Sequence, residues 1–421
     1  IIPPGVDYSC IGSAALERAD QAKPFTGPTA QEGLGSNNWV LSGSRTKTGQ
    51  PLLANDMHLG LTIPAVWYEN HLVAPGLNVT GVSLPGVPFV IAGHNQDIAW
   101  GFTNCFSDVQ DLYIERLRRD GDCVEYEFKG EWLEAQVVNE EIKIKGEASV
   151  FEEVIITHHG PIINALTPDF AGEDPLALRW TALEQDESEL SIYRMNIARS
   201  CAEFREALRV WSVPSQNIVY ADIHGDIGYT LPGKLPIRAQ GRGQVPVPGW
   251  SGEHEWLGYV PFEELPHMFN PEQGYIATAN NKVADDDYPY WIGADYVSGN
   301  RAQRIVELIE SYDVMGVSDI RKMHLDQVSP YARRIRAVLG NLKSDDPEIA
   351  LILNRIRKWD GTLAVDSAEA GLYEVFLRRI IFRMLKPVLG NLAERYMGKG
   401  PTPVIKEGTM FGERSREWLI A

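Results

Sequence analysis

The chain has 421 residues, enough for one large domain or for two or three smaller ones. Hydrophobic residues make up 44% of it and charged residues 23%, as in a globular protein rather than a disordered chain. A net charge of -18 argues against a nucleic-acid binder, because such a protein needs a basic face for phosphates. No apolar run reaches the ~18 residues of a membrane-spanning helix, so no membrane span is predicted.

Residues 1–35 are rich in Pro, Gly, Ala and Gln, and we interpret them as a linker or as the tail of a preceding small-subunit or spacer segment. A β-rich core is predicted over 36–297, because short apolar runs there are punctuated by Gly, Pro and Asn. Ser200 and Glu203 have the spacing of a capping box, which predicts a helix through Trp211. Strands are predicted at Trp39–Leu41, Pro51–Ala54, Phe89–Ala92, Ile98–Thr103, Leu112–Leu117, Val150–Thr157, Asn217–Asp222, Ile227–Leu231 and Tyr275–Ala279.

After about residue 298 the pattern becomes helical, and we predict a helical region over 298–421 that is truncated. The expected helices are Arg301–Ile309, Asp319–Leu325, Tyr331–Leu342, Ile349–Trp359 and Leu372–Leu385.

The pair Gly35-Ser36 carries the strongest chemical hypothesis. If the backbone is cut between these residues, Ser36 gains an α-amine beside its hydroxyl. An α-amine titrates at about 7.7–8.0 and can serve as the base that activates the hydroxyl. Glycine leaves room for the hydroxyl to attack the preceding carbonyl. The alternative interpretation is a Gly-Ser turn that leads into a strand.

Other signatures of catalysis are missing from the sequence. The motif GxSxG of serine hydrolases, the motif HExxH of zinc enzymes and glycine-rich phosphate loops are absent. The four cysteines form neither CxxC nor a Cys/His cluster that would indicate zinc. Three segments, 55–59, 99–104 and 277–281, are interpreted as strands that end in polar side chains, where a site is commonly built.

These segments, taken in order, resemble the penicillin acylase family of N-terminal-nucleophile hydrolases, which includes penicillin amidases, cephalosporin acylases and acyl-homoserine-lactone acylases. The resemblance spans most of the chain from Ser36 to about Ile309. It implies an α+β fold with an αββα sandwich. The motifs are Gly35-Ser36-Asn37-Asn38-Trp39, Leu53-Ala54-Asn55-Asp56, His58-Leu59, Pro64–Glu69, Gly93-His94-Asn95, Ile98–Gly101, Asp111-Leu112-Tyr113, His159-Gly160-Pro161, Asn280-Asn281 and Arg301–Ile305.

The resemblance also implies a role for each site residue. Ser36 would be the nucleophile and the mature amino terminus of a large subunit. The backbone N–H of Asn104 and the side chain of Asn280 would form the oxyanion hole. His58, by its side chain or backbone, would orient the nucleophile, and Arg301 would lie near it.

An apolar acyl pocket is implied at Leu59, Ala92 and Phe102, although ordinary core residues are an equal interpretation there. Some relatives bind calcium, a structural rather than a chemical cofactor. Hard oxygen ligands suit Ca²⁺. The candidate ligands here are Asp108, Gln110 through its carbonyl, Asp111 and Gly243.

The implied function is an amide hydrolase that forms an acyl-enzyme on Ser36 after autocatalytic cleavage of a zymogen, as in β-lactam antibiotic conversion. The small subunit would come from the same precursor, and the expected location is periplasmic or secreted. We expect this chain to be an unprocessed fragment that is poorly soluble or inactive alone. The alternative is a catalytically silent, β-rich protein that binds a carbohydrate or a peptide.

Overall fold

A computed structural model describes residues 35–60, 63–166 and 174–393. The linker predicted over 1–35 therefore lies, apart from Gly35, outside the described residues. The described strands are β1 (Gly35–Leu41), β2 (Leu52–His58), β3 (Tyr68–Ala74), β4 (Leu77–Ser83), β5 (Ala92–His94), β6 (Ile98–Asn104), β7 (Gln110–Ile114), β8 (Leu117–Asp120), β9 (Cys123–Phe128), β10 (Glu131–Glu134), β11 (Gln136–Ile142), β12 (Val150–Thr157), β13 (Gly160–Pro161), β14 (Leu176–Trp180), β15 (Gln216–Asp222), β16 (Ile227–Thr230), β17 (Pro236–Arg238), β18 (Val247–Pro248), β19 (Trp256–Tyr259), β20 (His267–Phe269) and β21 (Tyr275–Thr278).

The described helices are α1 (Ser188–Ile197), α2 (Cys201–Ala207), α3 (Asn300–Glu310), α4 (Val317–His324), α5 (Pro330–Gly340), α6 (Pro347–Lys358) and α7 (Ala368–Leu389). In these residues no helix is both long enough and apolar enough to cross a bilayer.

Strand β1 is the middle strand of a three-stranded sheet in the order β2-β1-β21, and it is antiparallel to both neighbours. Successive side chains of a strand point to opposite faces. Trp39 and Leu41 pack against Ile309 of α3 on one face. Val40 packs against Val219 of β15 on the other face, which Ser36 shares by alternation. The sheet is therefore covered by helices on one side and by a second sheet on the other.

The second sheet has seven strands in the order β20-β16-β15-β6-β5-β4-β3, all antiparallel to their neighbours. On its inner face Thr103 of β6 bonds to Thr278 of β21 through their hydroxyls, at 2.9 Å. On its outer face Trp100 and Phe102 pack in one apolar cluster with Phe204 of α2. The packing order is thus α3 and α4, the small sheet, the large sheet, then α1 and α2.

Helices α5, α6 and α7 share a separate apolar core that includes Tyr331, Trp359 and Leu377. Each begins at a side-chain cap: Ser329, Asp346 and Ser367 accept hydrogen bonds from backbone N–H groups of the first turn. The prediction of helices after about residue 298 is confirmed for these elements. The division of the chain into domains stays a prediction.

Some element boundaries were predicted wrongly. The run Phe89–Ala92 is not a strand, because the chain turns there while Val90 and Ile91 fill the core; the strand begins at Ala92. The run Leu112–Leu117 is divided between β7 and β8. The α-helix opened by Ser200 ends at Ala207, and a 3-10 helix over Leu208–Val210 continues it as far as its cap Trp211, close to the predicted end.

Candidate active site

Ser36 lies near the start of β1 and is only 7% exposed. Its backbone N–H donates to Oδ1 of Asn280 at 2.7 Å. Asn280 follows β21, and β21 pairs with β1, so the sheet brings together residues that lie 244 positions apart. The predicted nucleophile and the predicted oxyanion donor are therefore direct neighbours.

Arg301 joins these groups from the first turn of α3. One guanidinium nitrogen, Nη1, donates to the carbonyl of Ser36 and to Oδ1 of Asn37, both at 2.7 Å. The other, Nη2, donates to Oδ1 of Asn280 at 2.8 Å. Hydrogen bonds from a charged donor are roughly twice as strong as neutral ones, so this side chain fixes the start of β1.

The glycine at position 35 is explained by close packing. A Cβ atom built on Gly35 would lie 2.9 Å from Nη2 of Arg301 and 3.1 Å from Oδ1 of Asn280. Any larger residue would push against the two groups that hold Ser36. Glycine before the serine therefore lets Arg301 and Asn280 approach Ser36 without crowding, which is more than a feature of a turn.

Asn280 is fully buried and has a positive φ of 63°. Asparagine is among the residues that adopt this left-handed conformation most readily. Its Nδ2 donates to the carbonyl of Asn104 at 2.8 Å, so the two residues predicted to form the oxyanion hole are in contact. An amide nitrogen carries two hydrogens, and Asn104 accepts one of them.

His58 is paired with Gly35 in the ladder, but by alternation its side chain points away from that of Ser36. The ring Nε2 lies 2.7 Å from Oδ2 of Asp56, to which Asn37 Nδ2 also donates at 3.3 Å. A contribution of His58 to orienting Ser36 would therefore pass through its backbone.

The predicted pocket residues divide into two groups. Ala92 and Phe102 are buried in one apolar cluster, against which Met57 and Trp67 also pack. Met57 is the ladder partner of Ser36, so this cluster begins beside the predicted nucleophile. Leu59 is 39% exposed and does not belong to that cluster.

Asn55, on β2, ties the small sheet to the large one. Its Nδ2 donates to the carbonyls of Asn37 at 2.8 Å and Phe102 at 2.9 Å, and its Oδ1 accepts from the N–H of Phe102 at 3.1 Å. Gly101 makes room, since a Cβ there would lie 2.7 Å from Cβ of Asn55. Sequence reasoning had assigned Asn55 no role. An asparagine between Leu53 and Met57, the apolar residues of the same face of β2, was the signal that could have found it.

Asp108, Asp111 and Gly243 do come together, and the guanidinium of Arg238 lies beside all three. Both carboxylate oxygens of Asp111 accept from Arg238, each at 2.7 Å, and Trp256 donates to one of them. The guanidinium of Arg238 therefore neutralises the carboxylate of Asp111, whose charge a calcium ion would otherwise balance.

The carboxylate of Asp108 and the carbonyl of Gln110 are the remaining candidate ligands. Trp291 donates to the Asp108 carboxylate, and burial raises the pKa of Asp108 to about 6. Gln110 lies in the ladder opposite Trp180. Calcium binding stays a prediction, and no step of the chemistry depends on it.

The chain is similar to known proteins over most of its length. The family model described as penicillin amidase matches residues 8–418. The chain is 35% identical to a penicillin acylase 2 proenzyme of Pseudomonas sp. (strain SE83), over 91% of this chain and 50% of that protein. It is 30% identical to an acyl-homoserine lactone acylase QuiP of Pseudomonas fluorescens (strain Pf0-1), over 84% and 45% respectively.

A solved thermostable penicillin G acylase from Alcaligenes faecalis superposes with a TM-score of 0.76 at 28% identity, covering 90% of this chain and 70% of that chain. The chain spans about half the length of the curated relatives it matches. With a family model that matches nearly its whole length, the chain belongs to the penicillin amidase family.

Proposed function

We propose that this chain carries the nucleophile of an amide hydrolase that acts through an acyl-enzyme on Ser36. The observation that carries the proposal is the hydrogen bond of 2.7 Å from the backbone N–H of Ser36 to Asn280, with Arg301 bound to both residues. The packing order of helices, two sheets and helices supports the αββα sandwich of an N-terminal-nucleophile hydrolase.

The first step is cleavage of the chain at Gly35-Ser36. Ser36 Oγ attacks the carbonyl carbon of Gly35, the bond from that carbon to the nitrogen of Ser36 breaks, and an ester forms. Water hydrolyses the ester and leaves a carboxylate on Gly35. The nitrogen of Ser36 becomes an α-amine, and its acceptor Asn280 is already in place.

Substrate hydrolysis repeats the attack on an external amide. The α-amine takes the proton of the Ser36 hydroxyl while Oγ bonds to the acyl carbon. Nδ2 of Asn280 and the N–H of Asn104 stabilise the oxyanion, and the proton passes to the leaving amine. Water then attacks the ester and releases the acid.

The acyl group is proposed to be apolar. The cluster that contains Ala92 and Phe102 begins at Met57, beside Ser36, and an apolar acyl chain would bury its surface there. Relatives named as penicillin acylases and as acyl-homoserine lactone acylases support acyl amides as the substrate class. A relative named as a proenzyme supports a small subunit cut from the same precursor, and we also propose a periplasmic or secreted location.

The test is expression of the full-length protein and of its Ser36→Ala variant. On a denaturing gel the parent should give two subunits, one of which begins at Ser36. The variant should stay uncut and should not hydrolyse phenylacetyl, glutaryl or long-chain acyl amides. A parent that stays in one piece would favour the silent binding protein, and efficient cleavage of the variant would refute Ser36 as its own nucleophile.

A further inference from the structure

A cluster of imidazole and carboxylate groups lies outside the two stacked sheets. His158 and His159 form the turn between β12 and β13, and Glu255 immediately precedes β19. A ligand atom from each of the three lies within 4.8 Å of the other two. Glu115, which follows β7, is buried behind them.

The distances are close to those of a metal site. Nε2 of His159 lies 2.8 Å from Oε1 of Glu255, and Nε2 of His158 lies 3.7 Å from Oε2 of the same carboxylate. Ligand atoms at 2.0–2.2 Å from a tetrahedral Zn²⁺ lie roughly 3.3 Å apart. Each of these two distances differs from that value by roughly half an ångström.

The ring of His159 is held in the orientation that a ligand needs. It stacks on Tyr113 with centroids 3.7 Å apart and planes 7° apart. Its Nδ1 lies 2.8 Å from Oε1 of Glu115, which also accepts from the hydroxyl of Thr157. A carboxylate on the far nitrogen of a histidine fixes the tautomer that presents Nε2 to a metal.

His158 is the third candidate ligand and lies on the solvent-exposed side of the cluster. Its ring packs against Phe128 with centroids 4.3 Å apart, and its side chain is partly exposed, as is that of Glu255. The buried His159 and the two partly exposed groups leave one side open to water. Two histidines, one carboxylate and a water are a common ligand set of zinc in proteins.

We propose that His158, His159 and Glu255 form a binding site for Zn²⁺, with Glu115 as the residue that positions His159. Imidazole and carboxylate ligands suit zinc, whereas Ca²⁺ prefers oxygen ligands alone. On binding, the metal takes the place of the proton on Nε2 of His159, and that proton leaves to solvent. The proton on Nδ1 of His159 stays there and remains hydrogen-bonded to Glu115. The ion would join segments that lie far apart in the sequence, so its binding would stabilise the folded chain.

The test uses the purified full chain, stripped with a chelator and then titrated with Zn²⁺ by calorimetry. The parent should bind the ion, and Co²⁺ at the same site should give the absorption of a tetrahedral complex. His158→Ala and Glu255→Gln should each weaken binding by at least tenfold, since even removal of an outer partner costs about 10–100-fold. Glu115→Gln should weaken binding by about 10–100-fold and change the Co²⁺ spectrum.

His71→Ala is the matched control, because His71 is exposed and its ring bonds to the side chain of Asn78, away from the cluster. It should bind Zn²⁺ like the parent. Adding Zn²⁺ should raise the melting temperature of the parent but not that of the double variant His158→Ala, Glu255→Gln. If the parent binds no more Zn²⁺ than this double variant, the cluster is an ion pair only and the proposal is wrong.

Discussion

At the scale of single residues, the amide of Asn280 serves several neighbours at once. Its oxygen accepts from Ser36 and from Arg301, and its nitrogen donates to Asn104. Full burial and a positive φ leave the side chain little freedom to turn. Removing it would therefore affect both the position of Ser36 and the stabilisation of the oxyanion.

We predict that Asn280→Gly lowers the turnover of processed enzyme by about two to three orders of magnitude, the cost of one lost oxyanion donor. Glycine is chosen because it keeps the positive φ without strain. Turnover is measured on the best acyl amide of the panel. Asn78→Ala, at an exposed asparagine, is the control and should keep parental turnover. Parental turnover in the glycine variant would remove Asn280 from the mechanism.

Gly35→Ala is predicted to slow processing, because its Cβ would meet the guanidinium of Arg301 at 2.9 Å. Uncut precursor should accumulate on a denaturing gel followed over time. Gly371→Ala is the matched control, since nothing lies within 4 Å of a Cβ at that position. Equal rates of cleavage in the two variants would show that the space at Gly35 has no influence on processing.

At the scale of elements, Asp111 and Arg238 connect strands of different sheets. Asp111 lies on β7 and Arg238 ends β17, and β17 pairs only with β19 in the described part of the chain. Their side chains are 4% and 3% exposed, and a third partner, Trp256, comes from β19. This buried ion pair therefore joins the sheet that contains β7 to the sheet formed by β17 and β19.

Arg238→Ala should lower the free energy of unfolding by about 3–5 kcal/mol, because it leaves a buried carboxylate without its partner. The double variant Arg238→Ala, Asp111→Asn should recover part of this loss. Denaturant unfolding of the parent and of both variants measures the free energies. Arg118→Ala, in an exposed pair with Glu125, should cause little change. A free energy of unfolding of Arg238→Ala equal to that of the parent would contradict this prediction.

The sequence predicted elements well where apolar spacing or caps were local signals. The strand Val150–Thr157 and the start of α2 at the cap Ser200 are examples of such patterns. It missed β3, β4 and α1, because their pairing and packing depend on the rest of the core. The contacts of Ser36 with Asn280 and Arg301 join residues far apart in the chain. Spacing could not predict them, and only the family resemblance brought these residues together.

At the scale of the whole molecule, two buried cysteine thiols lie on opposite faces of the large sheet. Cys105 packs between the sheets with Val40 and Val219, and Cys201 packs on the outer face with Phe204. Burial raises the pKa of the Cys105 thiol to about 11, and burial together with Asp222 raises that of Cys201. Cys123 is exposed.

We predict that a thiol reagent at about pH 8 labels Cys123 quickly and labels Cys105 and Cys201 only as the protein unfolds, since thiolate and access are both required. Peptide mapping by mass spectrometry identifies each site. Labelling of both buried thiols at one denaturant concentration would mean that the layers open together. Fast labelling of Cys105 in the native protein would contradict the packing described between the sheets.

The restraints on Ser36 have a consequence for the entropy of catalysis. A newly cut chain end ordinarily frays. Here Asn280 holds the nitrogen of Ser36, Arg301 holds its carbonyl, and the strand that follows is paired on both sides. The ordering of the nucleophile is therefore achieved when the chain folds. Substrate would meet an end that is already immobile, and its binding free energy would remain available for the reaction itself.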